Sequence, residues 1–373
     1  MTEPRLDNSV RRRREELSLS QQALAELVGV SRQAVIAIEQ GRQVPSTALG
    51  LRLAQALRSS VERLFSLAGS EGVMARLAPA PEPAGLQVRG DRVALGEVDG
   101  RWAAHRLQPD APVAADGIVA GGAGSRTALI RPLADASYLR RNVLVAGCAP
   151  LLGTLAQRVG TRFGDARATW LASNSRRSLD LLHARLVHVA GVHLSEAGSG
   201  VDHAAVVRER FPGERMLIVN LTRWRQGLVV PPGNPLALRS AADLLRPGLR
   251  LARREAGAGA YKLLRRLLEH EGADEAPLFG PSASGHAEVA QLVRCGAADV
   301  GVAIESVALA AGLGFVPLAE ERFDLVVPAA LAETAPVARL LEALDDPGFR
   351  TEAAHLPGYD VALAGHVTTL DAA

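Results

Sequence analysis

The apolar positions of this chain change period along its length. In residues 8–67 they recur at helical spacing, around residues 92–107 they alternate as in strands, and from residue 142 the two patterns take turns. The first block predicts five short helices. Asp7 or Asn8 caps a helix running to about Leu17. Ser20 and Ser31 stand where a hydroxyl accepts from the open first turn of the next two helices. Leu24, Leu27 and Val28 fall on one face of the first of these, and Ala34, Val35 and Ile38 on one face of the second. Gly29 between them suits a tight turn with positive φ. A fourth helix is expected over 46–57, with Ala48, Leu49, Leu51, Leu53, Ala54 and Leu57 as its apolar face. A last turn of helix at 61–65 lets Leu64 and Phe65 close a small core.

Residues 69–85 are rich in Gly, Pro and Ala and read as a linker. Two strand-like runs, 92–98 and 101–107, flank Asp99-Gly100, a strong hairpin signal. The Gly121-Gly122-Ala123-Gly124 cluster lacks the Lys-Ser/Thr of a P-loop. Beyond it, strands are expected at 143–146, 168–172, 187–192, 216–221, 249–252, 299–304, 315–318 and 323–327. Helices fall between them at 151–162, 176–186, 202–211, 260–271, 286–295 and 305–311. Strand–helix alternation of this kind predicts an α/β domain with mostly parallel sheets. The division read from these patterns is a helical domain at 1–70, a linker and small β-rich connector at 71–140, and an α/β domain at 141–373.

Charge sharpens the picture for the first domain only. The chain has 42 Lys and Arg against 40 Asp and Glu, a net +2. Residues 1–70 hold ten Arg and seven acidic residues, or +3, so the remainder is about −1. A small positive domain suits a phosphate backbone, and the run Arg11-Arg12-Arg13-Arg14 is read as supplying some of the backbone contacts. Aromatic residues are only 3% of the chain, which argues against stacking platforms for single strands. Cys148 and Cys295, far apart, make neither a disulfide framework nor a zinc site. No signal core or membrane-length apolar run is present, so a cytoplasmic protein is expected.

The face of the second capped helix left outside the core carries Arg32, Gln33 and Ala37. A helix fits the major groove, where Arg pairs with guanine and Gln with adenine. Gln21, at the start of the preceding helix, is placed to hold a phosphate through its side chain and the helix N-terminus. The pattern Ser20-Gln21, Leu24-Ala25, Val28-Gly29-Val30-Ser31, Ile38-Glu39, Gly41-Arg42, Pro45 resembles the helix-turn-helix of the Cro-repressor or XRE family over residues 8–67. The resemblance implies an ion pair between Arg14 and Glu39, and DNA contacts from Gln21, Ser31, Arg32, Gln33, Ala37 and Arg42.

Five turns of the second half place Gly or hydroxyl residues where strands run into helices. They hold Cys148, Ser173-Asn174-Ser175-Arg176, His193, Gly257-Ala258-Gly259-Ala260-Tyr261 and Ser284-Gly285-His286. Strand carboxyl ends and helix N-termini are where α/β sheets take anionic ligands. His193 and His286 read equally as ligand donors or as caps of strand ends, and Cys148 as a small apolar filler with no base beside it. Arg176, a cation at a helix start, implies a ligand or carboxylate partner.

Residues 142–368 resemble the two-lobed periplasmic-binding-protein-like (type 2) domain found fused to molybdenum-cofactor proteins and XRE regulators. The matching stretches are Arg225-Gln226-Gly227-Leu228-Val229-Val230-Pro231-Pro232-Gly233-Asn234-Pro235, Ala298-Asp299-Val300-Gly301-Val302-Ala303-Ile304, Gly312-Leu313-Gly314-Phe315-Val316-Pro317-Leu318 and Leu356-Pro357-Gly358-Tyr359-Asp360. The resemblance implies two crossing segments, near 221–231 and 318–327, and a ligand in the cleft formed by Cys148, Ser173, Asn174, Ser175, Arg176, His193, Gly257, Ala258, Gly259, Tyr261, Ser284 and His286. By family association the ligand is molybdate or tungstate. The family's Gly-Ser-Gly-Thr-Arg is here Gly257-Ala258-Gly259-Ala260-Tyr261, two hydroxyls and a guanidinium short, which brings in a less charged ligand such as a pterin.

The whole reads as an all-α helix-turn-helix head, a β-rich connector and a two-lobed α/β sensor: a transcription regulator, not an enzyme, acting as a homodimer on operator DNA. The competing readings are a second half serving only as a dimerisation or partner module, and a molybdenum-cofactor-handling enzyme. No catalytic or metal-ligating set stands out in the sequence.

Overall fold

The computed structural model describes residues 6–67, 72–79, 90–108, 111, 113–122, 126–193, 203–273 and 278–372. The chain forms two compact units, Met1–Gly72 and Val73–Ala373.

The first unit is a bundle of helices at Val10–Glu16, Gln21–Val28, Arg32–Glu39, Thr47–Ala56 and Val61–Leu64. Hydroxyl caps set their starts. Ser20 Oγ accepts from the Ala23 N–H (3.0 Å), Ser31 Oγ from that of Ala34 (3.2 Å) and Ser46 Oγ from that of Leu49 (3.3 Å). Gly29 turns the chain with φ of 69°. Val10, Leu24, Val28, Val35, Ile38, Leu53, Leu57 and Leu64 fill the core, with Phe65 packed against it.

Three inward assignments fail. Leu27 and Leu51 are 62% and 55% exposed, and Ala48 is exposed. A helix buries a stripe little more than 100° wide, and here Leu24, Ala25 and Val28 occupy it on one helix and Leu49, Leu53 and Ala54 on the other. The first helix starts at Val10 because Leu6–Asn8 is a strand, paired antiparallel with Phe65–Leu67. Phe65 therefore leaves the last helix. Asn8 Oδ1 still accepts from the Val10 N–H (3.3 Å); the Asp7 side chain lies outside the described residues.

The second unit begins with a closed barrel of five strands, Val73–Leu77, Arg92–Val98, Arg101–Arg106, Gly117–Gly122 and Thr127–Pro132. Its first strand lies inside the stretch read as linker. Ala75 and Leu77 alternate inward there, but the strand is short and flanked by small residues, so its pattern is faint in sequence. Residues 69–71 and 80–85 of that stretch, and 123–124 of the glycine cluster, lie outside the described residues. The Asp99-Gly100 hairpin is present, both residues having positive φ (51° and 71°).

The α/β part is one mixed ten-stranded sheet. In the first lobe Asn142–Gly147 runs parallel between Arg167–Ala172 and Val189–His193. In the second, Leu251–Arg254 runs parallel between Val300–Ile304 and Ser282–Ala283. Two 15-residue strands, Met216–Val230 and Gly314–Pro328, pair antiparallel and pass through both lobes. They are the crossing segments. The sheet's centre is thus antiparallel, not parallel as expected, because the chain crosses once in each direction. Segments 315–318 and 323–327 are one strand, whose Pro317 is accommodated at a register shift opposite Gly227.

Helices Leu151–Arg162, Ser175–His183, His203–Arg210, Gly259–His270, His286–Arg294 and Glu305–Ala310 cover the sheet. The first lobe's core gathers Val143, Val145, Leu152, Leu155, Trp224, Phe323, Leu340 and Phe349, so the C-terminal helices return to that lobe. Polar groups tie the barrel to it. Asn142 Nδ2 donates to the Leu95 carbonyl (2.7 Å), Arg167 pairs with Asp116 (2.6 Å), and His105 Nε2 meets the Leu186 carbonyl (2.7 Å). Among the described residues no helix is long and apolar enough to cross a membrane.

Candidate recognition helix and interlobe site

In the first unit, Arg32–Glu39 presents Ser31, Arg32 and Gln33 as exposed residues at its N-terminal end, with Ala37 half-buried beside them. Arg42, also exposed, bonds to Gln40 Oε1. The expected ion pair is present. Arg14 Nε and Nη2 reach Glu39 Oε1 and Oε2 at 2.6 and 3.3 Å, and Arg14 Nη1 donates to the Leu19 carbonyl (2.8 Å). The hydrogen bond to Glu39 holds the Arg14 guanidinium above its ordinary pKa against the cost of burial. Gln21 is arranged differently from expectation: its Nε2 donates to Glu39 Oε2 (2.9 Å), so the amide completes the buried network instead of standing free. The four-arginine run likewise divides. Arg11 pairs with Glu15 on the surface, Arg13 Nε caps the Leu57 carbonyl (3.0 Å), and Arg14 is interior.

In the second unit the expected ligand residues separate into two neighbouring groups. Asn174, Arg176, Gly257, Tyr261 and Ser284 line a cavity of about 780 Å³. Its walls come from both lobes: Arg177 and Asp180 add to one side, and Arg253, Arg254, Glu255, Arg265 and Glu288 to the other. Five guanidinium groups against three carboxylates leave it positive. Asn174 caps the first lobe's helix by accepting from the Arg177 N–H (2.9 Å), and its Nδ2 crosses to Glu255 Oε1 (3.2 Å). The guanidinium missing at position 261 returns one helical turn later: Arg265 lies over the Tyr261 ring, 5.5 Å from its centroid, and donates to the phenol (3.3 Å). Ala258 and Ala260 are buried; Ala260 lines the cavity and brings it a methyl where the family has a hydroxyl.

The other group lies apart from the cavity lining, at the junction of the lobes. Cys148, His193 and His286 bring one sulfur and two ring nitrogens within 4.8 Å of one another. Ser175 Oγ bonds the His193 backbone, accepting from its N–H (3.2 Å). His193 Nδ1 meets Glu321 Oε2 at 2.8 Å, and Gln226 Nε2 lies 3.0 Å from the same nitrogen. Trp224 packs edge-on against His193 and His286, with centroids 5.2 and 5.7 Å apart. Gly259 has no side chain because His193 occupies the space: a Cβ there would lie 2.0 Å from His193 Cε1. Ser173 stays at the rim, its hydroxyl turned to the Asn174 carbonyl (3.4 Å).

Burial opposes a charge on His193, but the Cys148 sulfur and then Glu321 outweigh it and raise the ring to about 10. His286 is driven well below its usual value by burial, then by the nearby Arg254 and His193 charges. The reading of Cys148 as a filler without a neighbouring base is corrected by His193. Trp224, Gln226 and Glu321 were missed as site residues altogether. They lie on the crossing strands, and only the alternation of Trp224 and Gln226 on one face hints at them.

Residues 156–345 match the PBP superfamily domain, and residues 10–64 match the helix-turn-helix family. YvgK of Bacillus subtilis is 26% identical over 231 residues, spanning 61% of this chain and 74% of that protein. A helix-turn-helix-type transcriptional regulator of Methanothermobacter thermautotrophicus is 51% identical over 59 residues, 16% of this chain and 86% of that protein. The regulatory domain of MetR, a LysR family regulator from N. meningitidis, superposes with a TM-score of 0.42 at 12% identity, covering 59% of this chain and 97% of that one. The chain belongs to the PBP superfamily domain family and carries an XRE-type helix-turn-helix at its N-terminus, the make-up of a transcriptional regulator.

Proposed function

We propose that the protein is a one-component transcription regulator whose head reads operator DNA through Arg32 and Gln33 and whose interlobe cavity takes an anionic organic effector. The observation that carries this reading is the cavity itself: about 780 Å³, walled by both lobes and lined by Arg176, Arg177, Arg253, Arg254 and Arg265. Small-molecule sites run to about 300–1,000 Å³. A lone tetrahedral oxyanion would leave most of this space to water, so a pterin-sized anion fits it better than molybdate or tungstate. A ligand touching both walls favours the closed arrangement of the lobes, and a response of the head requires that preference.

The test starts with selection of bound fragments from genomic DNA by the full chain and by the Gln33→Ala variant. The variant should lose discrimination at one base position, at a cost of about 1–3 kcal/mol there. Equal weakening on every fragment would place Gln33 on the backbone, and no selected sequence at all would sink the regulator reading. Calorimetric titration with a pterin, molybdate and tungstate then ranks the effectors. An Arg265→Ala protein that binds the winner unchanged would remove the cavity as its site.

A further inference from the structure

We infer that Cys148, His193 and His286 form a binding site for a zinc-class cation that bridges the two lobes. Cys148 follows the first lobe's strand Asn142–Gly147, and His193 ends its strand Val189–His193. His286 opens the second lobe's helix His286–Arg294. Their donor atoms lie within 4.8 Å of one another. Zinc holds nitrogen and sulfur at roughly 2.0–2.3 Å, which puts tetrahedral donors about 3.5 Å apart. The widest-spaced donors need to draw in by at most 4.8 − 3.5, or about 1.3 Å, a movement that falls to Cys148 and His286 because Glu321 and Trp224 hold His193.

Two further observations point to a cation. Both ring nitrogens of His286 are buried without a hydrogen-bond partner among the described residues. A buried imidazole with neither nitrogen used costs free energy, and coordination recovers it. His193 has the support expected of a ligand: its Nδ1 is held by Glu321 Oε2 at 2.8 Å, leaving Nε2 for the cation. Of the charges that face the cluster, the buried Glu321 carboxylate, with Oε1 unpartnered among the described residues, favours a cation, and Arg254 opposes it. One thiolate and two imidazoles suit zinc and its neighbours, not magnesium or calcium. Three protein ligands leave a fourth position for water or a group of the effector.

The inference goes beyond the effector reading and does not depend on it. The arginine-lined cavity can take its ligand whether or not a cation sits behind it, and metal uptake is measured on the full chain without DNA. Protein stripped with a chelator and desalted should take up one equivalent of Zn²⁺. With Co²⁺ it should show a sulfur-to-metal charge-transfer band in the near ultraviolet. Cys148→Ser abolishes the band, whereas Cys295→Ser, which alters the exposed second cysteine, retains it. Glu321→Gln keeps the band and weakens Zn²⁺ binding about 10–100-fold. If Cys148→Ser does not fold, His286→Gln carries the comparison, with loss of the wild type's single tight equivalent as its readout. No stoichiometric Zn²⁺ uptake by the wild type, or a band and affinity that persist in both ligand variants, would overturn the site.

Discussion

Replacing Gly259 by Ala should force the lobes apart. The new Cβ would lie 2.0 Å from His193 Cε1 and 2.4 and 2.6 Å from the ring nitrogens, where ordinary contact begins near 3.4 Å; the two must separate by 3.4 − 2.0 = 1.4 Å. His193 has little room to give way. Glu321 holds its Nδ1 at 2.8 Å, Trp224 stands edge-on at 5.2 Å and Phe323 stacks at 6.0 Å. The start of helix Gly259–His270 must lift instead, which strains the Asn174–Glu255 hydrogen bond across the cleft. Overpacking of this kind costs about 1–3 kcal/mol. At roughly 1.6 °C per kcal/mol for a unit that runs from Val73 to Ala373, the second unit's melting temperature falls by about 2–5 °C. Scanning calorimetry of the full chain gives the transition, and hydrogen exchange of residues 259–270 reports the lifting. A variant that melts with the wild type and protects those amides equally would show that the lobes do not meet as tightly as the Gly259–His193 approach requires.

Two more perturbations read the rest of the chain. Glu39→Gln leaves Arg14, whose side chain is only 9% exposed, with the exposed Glu15 at 3.6 Å as its remaining carboxylate, so the head should lose about 3 kcal/mol, the low end for a broken buried pair; an unchanged urea midpoint for the head would refute the pairing. His105 and His188 are held near a pKa of about 4, chiefly by burial, against 6.5 when unfolded. Because the unfolded chain binds those protons first, their contribution is present above pH 6.5 and is lost as pH falls toward 4, up to about 3 kcal/mol each. His188→Gln should flatten that acid limb in thermal melts from pH 7 to 4, and an identical limb in the variant would clear His188 of the role.

Much of this architecture is legible because its signals are local. Ser20, Ser31 and Ser46 cap helices through bonds to residues three positions on, so the sequence alone places those starts. Asp99-Gly100 sets a hairpin by its own backbone preferences. What escaped depends on distant partners. Val73–Leu77 is a strand because Thr127–Pro132 and Arg101–Arg106 pair with it, not because of its own composition. Gln21 looked free for a phosphate until Glu39 came within reach. Cys148 looked inert because His193 and His286 are 45 and 138 positions away in the chain and meet it only when both lobes are built. Individual site residues could be nominated from their turns, but the division into an arginine-lined cavity and a sulfur–imidazole cluster is a property of the packed sheet.

That packing also joins hinge and site in the same segments. Met216–Val230 carries Trp224 and Gln226, and Gly314–Pro328 carries Glu321 and Phe323, so the strands that join the lobes, the hinge of the proposed switch, also hold the floor beneath His193. In the proposed switch, closure without a ligand rests on the Gly259–His193 packing and one hydrogen bond across the cleft. The Asn174–Glu255 bond contributes on the order of 1 kcal/mol. Bringing Arg176 and Arg177 toward Arg253 and Arg265 opposes it by like-charge repulsion. An anion between those walls reverses the sign of that term only in the closed state, which is the differential affinity a switch needs. Moving the lobes from 1:99 to 99:1 closed takes about 5.5 kcal/mol of such preference. Several charge-assisted hydrogen bonds of roughly 1.5–3 kcal/mol each reach that sum, whereas a neutral ligand of the same size, leaving the guanidinium groups to repel one another, does not.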